Sequence, residues 1–345
     1  MRKALTTIYA DILPFLSRII RGSLKNTICE DNVMYILGFD IGGTKSAVVA
    51  ADWDGTSIDI KGKISMKTDL SVSPHTMIDR LISASHEILE CTPDSIGISC
   101  GGPLDSKKGV ILGPPNLPGW DEVYIVRYIE DKFGVPVRLQ NDANACALAE
   151  WRFGAGKGTE NMVFLTFGTG LGAGLILGGR LYEGTNGNAG EIGHLRLAPT
   201  GPTGYGKEGS FEGFCSGGGI AQLGKILADE KIKSGVTPLY MKDGAEISAK
   251  TIAEAAEMGD ETALEVYELS GSYLGKGLSL VIDILNPEKI VIGSIFTRSR
   301  KLLMKSMERE IKKEALPFSA EVCSIVPAAL GENIGDYGAL ATATL

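Results

Sequence analysis

Leu165 to His194 reads LTFGTGLGAGLILGGRLYEGTNGNAGEIGH, and the fold turns on how its first half is read. An apolar run, glycines at 168, 170, 172 and 174, and a second apolar run spell strand, tight turn, strand. On such a hairpin, the loss of side chains at alternate positions lets backbone N–H groups approach an anion closely. A glycine-rich turn with no ligand has the same local composition, so the rest of the chain has to discriminate. Beyond the hairpin, Glu191 and His194 stand three residues apart in a glycine-rich loop.

The same unit occurs once before. Tyr35 to Phe39 is apolar, Asp40 ends the run, Gly42-Gly43 turn the chain, and Ser46 to Ala51 run apolar again. An acid at a strand end followed by a diglycine turn, Asp40-Ile41-Gly42-Gly43-Thr44-Lys45, can hold Mg²⁺ through water while the turn amides meet phosphate oxygens. The GxxxxGK[ST] spacing of a P-loop is absent, and neither glycine cluster has the GxGxxG spacing that opens a dinucleotide-binding helix. Alone, the DxGGT turn reads as structural. Paired with Gly168-Thr169-Gly170, it makes two phosphate-contacting hairpins facing one cleft, as a split ATP site requires.

Around these units strands and helices alternate. Residues 58–66 are expected as a third strand, 77–90 as a helix, 95–99 as a strand, 122–133 as a helix, 135–139 as a strand and 145–152 as a helix. Strands follow at 162–167 and 173–177, then helices at 217–230, 249–258 and 262–285, a strand at 289–292, a helix at 299–315, a strand at 322–326 and a terminal helix at 335–344. The pattern predicts an α/β fold with an internal structural repeat. Residues 34–152 plus 328–345 form the expected small α/β lobe and 153–327 the large α/β lobe, with a central cleft between them. Residues 1–33 read as an N-terminal extension whose apolar positions from Leu5 to Ile20 share one helix face despite Pro14.

With 345 residues, 44% of them hydrophobic, the chain can fill two cores. A net charge of −8 argues against nucleic-acid binding, which needs a basic face to displace phosphate counterions. The charge of ATP, by contrast, is met locally by Mg²⁺ and backbone amides. Six scattered cysteines without a CxxC fit reduced thiols in a cytoplasm. Asp11, Pro14 and Arg18 interrupt the first apolar stretch before a signal-peptide core could form. No apolar run is long enough to predict a membrane span.

Asn141-Asp142-Ala143-Asn144 reads as a helix N-terminus, where a carboxylate is a natural cap. The same carboxylate can accept a proton from a sugar hydroxyl, and the helix dipole helps keep it ionised. Glu191, His194 and Glu212 offer acceptors and a donor suited to vicinal hydroxyls. His75 and His86 have no clustered partners in sequence and read as surface or packing residues.

Taken in order, these motifs resemble those of the ROK family (repressor, open reading frame, kinase), bacterial-type sugar kinases with the actin-like, hexokinase- and ribonuclease H-like ATPase fold. The resemblance covers Met34 to Leu345. It rests on DIGGTK at 40–45, GGPLD at 101–105, NLPGW at 116–120, NDANACALAE at 141–150, GTGLGAG at 168–174, GNAGEIGH at 187–194 and NPEKIVIG at 286–293. It implies that Asp142 is the catalytic base and that Asn141, Glu191, His194 and Glu212 bind sugar hydroxyls, with Asn116 and Gly102 as further sugar-side candidates. Gly42, Gly43, Thr44, Lys45, Thr169 and Gly170 would contact ATP phosphates, Asp40 would hold Mg²⁺ through water, and Gly293 would lie beside adenosine, although the family's second glycine there is Ser294. The implied reaction is ATP-dependent phosphorylation of a hexose, glucose-like or N-acetylated, at the 6-hydroxyl. A cytoplasmic homodimer without nucleic-acid or membrane partners is expected.

One departure is large. Many members carry a CxCGxxGCxE zinc motif after the EIGH histidine; here the frame is residues 203–212, and its cysteine positions are Thr203, Tyr205 and Ser210. A structural zinc of the Cys₃His type is therefore not expected. The family also contains sugar-responsive repressors, but residues 1–33 are too short for their helix-turn-helix domain and lack a basic recognition helix. A non-catalytic sugar sensor is the other reading, opposed by the intact Asp142 and both phosphate turns. The sugar itself is not named by the loops at about 101–120 and 196–216, which depart from the commoner pattern.

Overall fold

The computed structural model describes residues 33–244 and 246–345; the extension expected at the N-terminus lies outside the described residues, Val33 excepted. Strands β1 (Met34–Ile41), β2 (Lys45–Trp53) and β3 (Ile58–Lys67) form an antiparallel meander. Helix α1 (Pro74–Ile88) follows, its start set by Ser73, whose Oγ accepts from the Thr76 amide, and by Pro74 at the first helical position. Next come β4 (Ser95–Cys100), the small hairpin of β5 (Leu104–Asp105) and β6 (Val110–Ile111), α2 (Ile125–Phe133) and β7 (Val137–Asn141). The first sheet runs β3-β2-β1-β4-β7, with β1, β4 and β7 parallel.

Helix α3 (Asp142–Phe153) leads into β8 (Met162–Phe167) and β9 (Leu171–Ile176), then a two-stranded ribbon of β10 (Thr203–Gly204) and β11 (Lys207–Glu208). Helices α4 (Phe211–Phe214), α5 (Gly217–Lys233), α6 (Ala249–Glu257) and α7 (Glu261–Leu285) precede β12 (Lys289–Ile292). The chain ends with α8 (Ile295–Glu314), α9 (Pro317–Val322), β13 (Ser324–Pro327) and α10 (Ile334–Ala343). The second sheet, β13-β12-β8-β9, has the strand order and directions of β7-β4-β1-β2: one antiparallel hairpin and two parallel neighbours. An isolated bridge between Ile176 and Leu181 stands where the counterpart of β3 would lie. The two strand, turn, strand units read in the sequence are thus equivalent hairpins of two related sheets.

Each sheet has its own core: Leu37, Phe39, Leu81, Ile98 and Leu139 in the first half, and Leu165, Phe211, Tyr267, Leu274 and Phe296 in the second. The halves are joined by exchanged helices. Helix α3 follows the first sheet but packs Ala147 and Leu148 on Met162, Phe164 and Ile176 of the second. Helix α10 follows the second sheet but packs Leu340 and Ala343 on Ile36 and Val49 of the first. Helix α3 lies so close to β9 that a Cβ at Gly174 would sit 2.5 Å from the Ala147 Cβ and 2.6 Å from the Ala143 carbonyl oxygen. At the far end of α3, the buried Glu150 carboxylate accepts from the amides of Ala329 and Leu330, each at 2.9 Å, and of Ala155 at 2.7 Å. It pins α3 to the segment entering α10 and meets its desolvation cost with three charge-assisted bonds.

Several boundaries depart from expectation. Strand β7 extends to Asn141 and α3 begins at Asp142, three residues before the apolar pattern suggests. Ser299, expected to open a helix, instead lies inside α8 at a kink with φ −110° and ψ 21°. Part of the strand expected at 322–326 is taken by α9, because Pro317 starts a helical turn.

Candidate active site

Register places the acids. Ile41 pairs with Cys100 and Cys100 with Asn141 across three adjacent parallel strands, so Asp40 and Asp142 emerge at the same carboxyl edge, where ligands of open α/β sheets bind. Asn141 is the cap of α3, its Oδ1 accepting from the Asn144 amide at 2.8 Å. The Asp142 Oδ1 accepts from the Ala143 amide at 2.8 Å. Asp142 is solvent-exposed at that edge, yet desolvation by the protein beside it raises its pKa, and the amides of Ala143 and Asp142 pull it back only in part. The helix-terminal amides do favour the ionised form, as expected, but desolvation is the larger effect and moves the group toward the range useful to a base.

The first turn is held by the Gly42 amide on the Lys45 carbonyl at 3.1 Å and by Thr68, whose hydroxyl donates to the Gly42 carbonyl at 2.6 Å. Gly43 is required because any Cβ would run into the Asn116 carbonyl oxygen. The Asn116 amide in turn lies against Gly101, so the GGPLD and NLPGW motifs meet the first turn at one residue, while Gly102 faces open space. Thr44 and Lys45 are exposed. Burial and the neighbouring Asp336 and Asp142 push Asp40 up to about 6, against the opposing charges of Lys63 and Lys45. A half-buried acid at odds with two others fits a cation-facing role. Among the described residues no group of three or more His, Cys, Asp or Glu is arranged to hold a metal ion.

At the second turn the Gly168 amide bonds the Gly170 carbonyl at 3.0 Å, and the Gly217 amide bonds the Gly168 carbonyl at 2.8 Å. Glu212 is tied here as well, its Oε2 accepting from the Leu171 amide at 2.9 Å. The four alternating glycines divide by role. Gly168 lies beside Ser294, Gly170 against the Glu212 carboxylate and Gly172 at ordinary contact distance from Ala143, whereas Gly174 is pressed against Ala147 and the Ala143 carbonyl of α3. Gly174 serves helix-strand packing rather than an anion. The loop bearing Glu191 and His194 is held along β9 by the Ala173 amide on the Gly190 carbonyl at 3.2 Å. Burial raises the Glu191 pKa, Glu212 and Asp142 add to the rise, and His194 opposes it. These four side chains therefore share one electrostatic neighbourhood.

A cavity of about 590 Å³ opens beside the second turn, lined by Gly168, Thr169, Gly217, Gly218, Ser294 and Arg298 among others. Its size suits a nucleoside. Gly293 does not line it: the space a side chain would take there faces Phe164 and Ala328. Ser294 does, in the conformation φ 54°, ψ −112°, which glycine adopts freely and serine only under strain. The Arg298 Nη2 donates to the Ser294 Oγ at 3.2 Å. Gly217 and Gly218, which the sequence reading assigned only to a helix, put the capped N-terminus of α5 on the cavity wall. Ser216 caps it, accepting from the Gly219 amide at 3.0 Å. The signal was present as Ser-Gly-Gly-Gly before an amphipathic stretch.

A zinc ion does not fit the frame at 203–212. Other contacts hold this segment. The Gln222 side chain pairs with both the amide and the carbonyl of Thr203 at 2.9 Å, and the buried Ser210 caps α4 by accepting from the Gly213 amide at 3.0 Å. The His194 ring meets the Tyr205 ring edge-on with centroids 6.0 Å apart, and the Lys207 Nζ donates to the His194 carbonyl at 2.7 Å.

A family model described as the ROK family matches residues 36–344. A glucokinase of Halalkalibacterium halodurans is 33% identical over 312 residues, which cover 88% of this chain and 93% of that protein. The crystal structure of a ROK family glucokinase from Streptomyces griseus in complex with glucose and AMPPNP matches with a TM-score of 0.70 at 29% identity, covering 90% of this chain and 99% of that one. A ROK family transcriptional regulator, a homologue of the E. coli MLC protein, matches with a TM-score of 0.76 at 26% identity, covering 90% of this chain and 78% of that one. The actin-like ATPase fold expected from the motifs is the fold of this chain.

Proposed function

The chain belongs to the ROK family, and from that premise we propose that it transfers the γ-phosphoryl group of ATP to the 6-hydroxyl of a hexose, with glucose the first candidate and Asp142 the general base. The observation that carries this reading is the Asp142 carboxylate. It opens to the cleft within the electrostatic neighbourhood of Glu191, Glu212 and His194 on the sugar side and of Asp40 on the phosphate side. The similarity to glucokinases supports the sugar class.

Each side chain has capacity left for a substrate. Asn141 uses Oδ1 as the helix cap, which leaves its Nδ2 to donate to a hydroxyl. Glu212 uses Oε2 on Leu171, which leaves Oε1 to accept one. The raised pKa of Asp142 brings its basicity nearer that needed to take the hydroxyl proton as the oxygen attacks. Thr169 of the second turn and Gly218 at the α5 N-terminus line the cavity, and backbone amides there would meet phosphate charge without side-chain reorganisation. Bound Mg²⁺ supplies charge neutralisation at the phosphates, and Asp40 would hold it through water. Phosphoryl transfer asks mainly for such positioning and neutralisation.

A coupled assay with ATP over glucose, mannose, fructose, N-acetylglucosamine and N-acetylmannosamine tests the reading. Turnover of at least one sugar is expected, with Asp142→Asn reducing kcat by about 10³-fold or more and leaving the thermal midpoint nearly unchanged. Near-normal turnover by Asp142→Asn would exclude it as the base. Sugar binding without any turnover would favour a sensing role like that of the regulator among the structural neighbours.

A further inference from the structure

Three stretches supply the proposed sugar side: the loop through Gly102 and Asn116, the β7–α3 junction with Asn141 and Asp142, and the loop with Glu191 and His194. We infer that Glu183, which none of the sequence motifs includes, is the positioning residue that locks these three together across the cleft.

Glu183 stands at the base of the third stretch. The Tyr182 amide bonds the Leu175 carbonyl at 2.8 Å, extending the edge of β9, and the Ala189 amide bonds the Glu183 carbonyl at 3.2 Å, closing the loop. Its side chain leaves that half of the molecule. Oε1 accepts from the Ser106 Oγ at 2.7 Å and from the Gln140 Nε2 at 2.9 Å. Ser106 lies between β5 and β6, in the segment linking Gly102 to Asn116; Gln140 immediately precedes Asn141. Lys107 adds a second crossing, its Nζ donating to the Thr185 carbonyl at 3.4 Å.

The acceptor Oε1 of Glu183 also sets the direction of the hydrogen bonds that run from it into α3. Oε1 accepts, so the buried Gln140 presents Nε2 to it. The Gln140 Oε1 is then turned to Asn144, whose Nδ2 donates at 3.2 Å. That leaves the Asn144 Oδ1 as a buried acceptor without a hydrogen-bond partner. An orphaned buried acceptor is costly, and it is tolerated because the relay is oriented from the Glu183 end. Asn144 is the residue whose amide Asn141 caps, so the relay ends on the first turn of α3, under Asp142. No ion pair involves Glu183 among the described residues, so its role is geometric rather than charge neutralisation.

The inference rests on the kinase reading of this site for its catalytic consequence and on the three segments alone for its structural one. Glu183→Ala is expected to raise the KM for the sugar by about tenfold and to lower kcat by a similar factor, with the KM for ATP within about twofold of wild type, because only the acceptor side loses its register. Glu183→Gln, which keeps an oxygen acceptor, should recover most of the loss; a purely electrostatic role would not allow that rescue. In parallel, hydrogen exchange on the ligand-free protein should rise at 104–111, 140–145 and 184–194 together in Glu183→Ala. Sugar and ATP parameters shifting equally, no rescue by glutamine, or faster exchange confined to 184–194 would each overturn the inference. If the wild type phosphorylates no sugar, the kinase reading fails by itself and the exchange pattern still decides the role of Glu183.

Discussion

Replacing Gly174 by alanine separates packing from phosphate contact in the glycine-rich stretch. The added methyl group would lie 2.5 Å from the Ala147 Cβ and 2.6 Å from the Ala143 carbonyl oxygen, against an ordinary carbon–carbon contact of about 3.5–4.0 Å. Helix α3 must therefore withdraw from β9 by about 1 Å, since one of the two obstacles is backbone and no rotamer relieves it. Overpacking of this kind costs about 1–3 kcal/mol, a fall of roughly 2–8 °C in thermal midpoint. The kinetic cost is larger, because the helix that retreats carries Asp142 at its start, and a displacement of about 1 Å at a reacting group is worth on the order of 10²-fold. The assay is coupled kinetics with the preferred sugar beside differential scanning fluorimetry. Gly172→Ala is the control: its Cβ would be 3.4 Å from Ala143 and from Thr166 Oγ1, an ordinary contact, and its kcat should stay within about threefold of wild type. Equal losses in the two variants, or a Gly174→Ala kcat within about threefold of wild type, would refute the assignment of Gly174 to the α3–β9 contact. Ala147→Gly should fail to rescue Gly174→Ala, because the Ala143 carbonyl remains in the way.

Three further outcomes are expected. Asp40, whose pKa lies at about 6 in the folded chain against an ordinary 3.8, holds a proton in the folded state between those values when the unfolded state does not, so this group's contribution to stability falls as pH rises from about 4 to about 6. Asp40→Asn removes the penalty and should stabilise the metal-free protein at pH 8 by about 1–3 kcal/mol, with little effect at pH 4; equal stabilisation at both pH values would contradict the assignment. Ser294→Gly relieves a serine at φ 54°, ψ −112° and should raise stability by about 1 kcal/mol, read as a higher denaturant midpoint, unless the lost bond to Arg298 outweighs the strain, which a lower midpoint would reveal. Metal analysis of the purified protein should find far less than one zinc per chain, and a strong chelator followed by excess Mg²⁺ should leave activity intact; one zinc per chain would overturn the reading of residues 203–212.

The two strand, turn, strand units, the acid before Gly42-Gly43, a helix start within Asn141–Asn144 and the ordered family motifs were legible in the sequence, although the cap is Asn141 rather than the Asp142 carboxylate. Alternation of apolar residues, turn glycines and capping side chains act over a few neighbouring residues, so their signal is local. The same locality explains what the sequence left undivided. Gly168, Gly170, Gly172 and Gly174 look alike along the chain, and only the approach of α3 assigns the last of them to packing. Gly293 and Ser294 are adjacent, and the direction of the turn decides which of them meets the cavity. Glu212 is tied to Leu171, 41 residues away, and Glu183 to Ser106, 77 residues away; neither partner is implied by spacing. By itself the sequence determined which elements form and which residue types could do the chemistry. The tertiary structure decided which carboxylate oxygens are already engaged, which glycine serves the helix, and that desolvation outweighs the helix amides at Asp142, because those depend on surfaces brought together only when the two sheets exchange their helices.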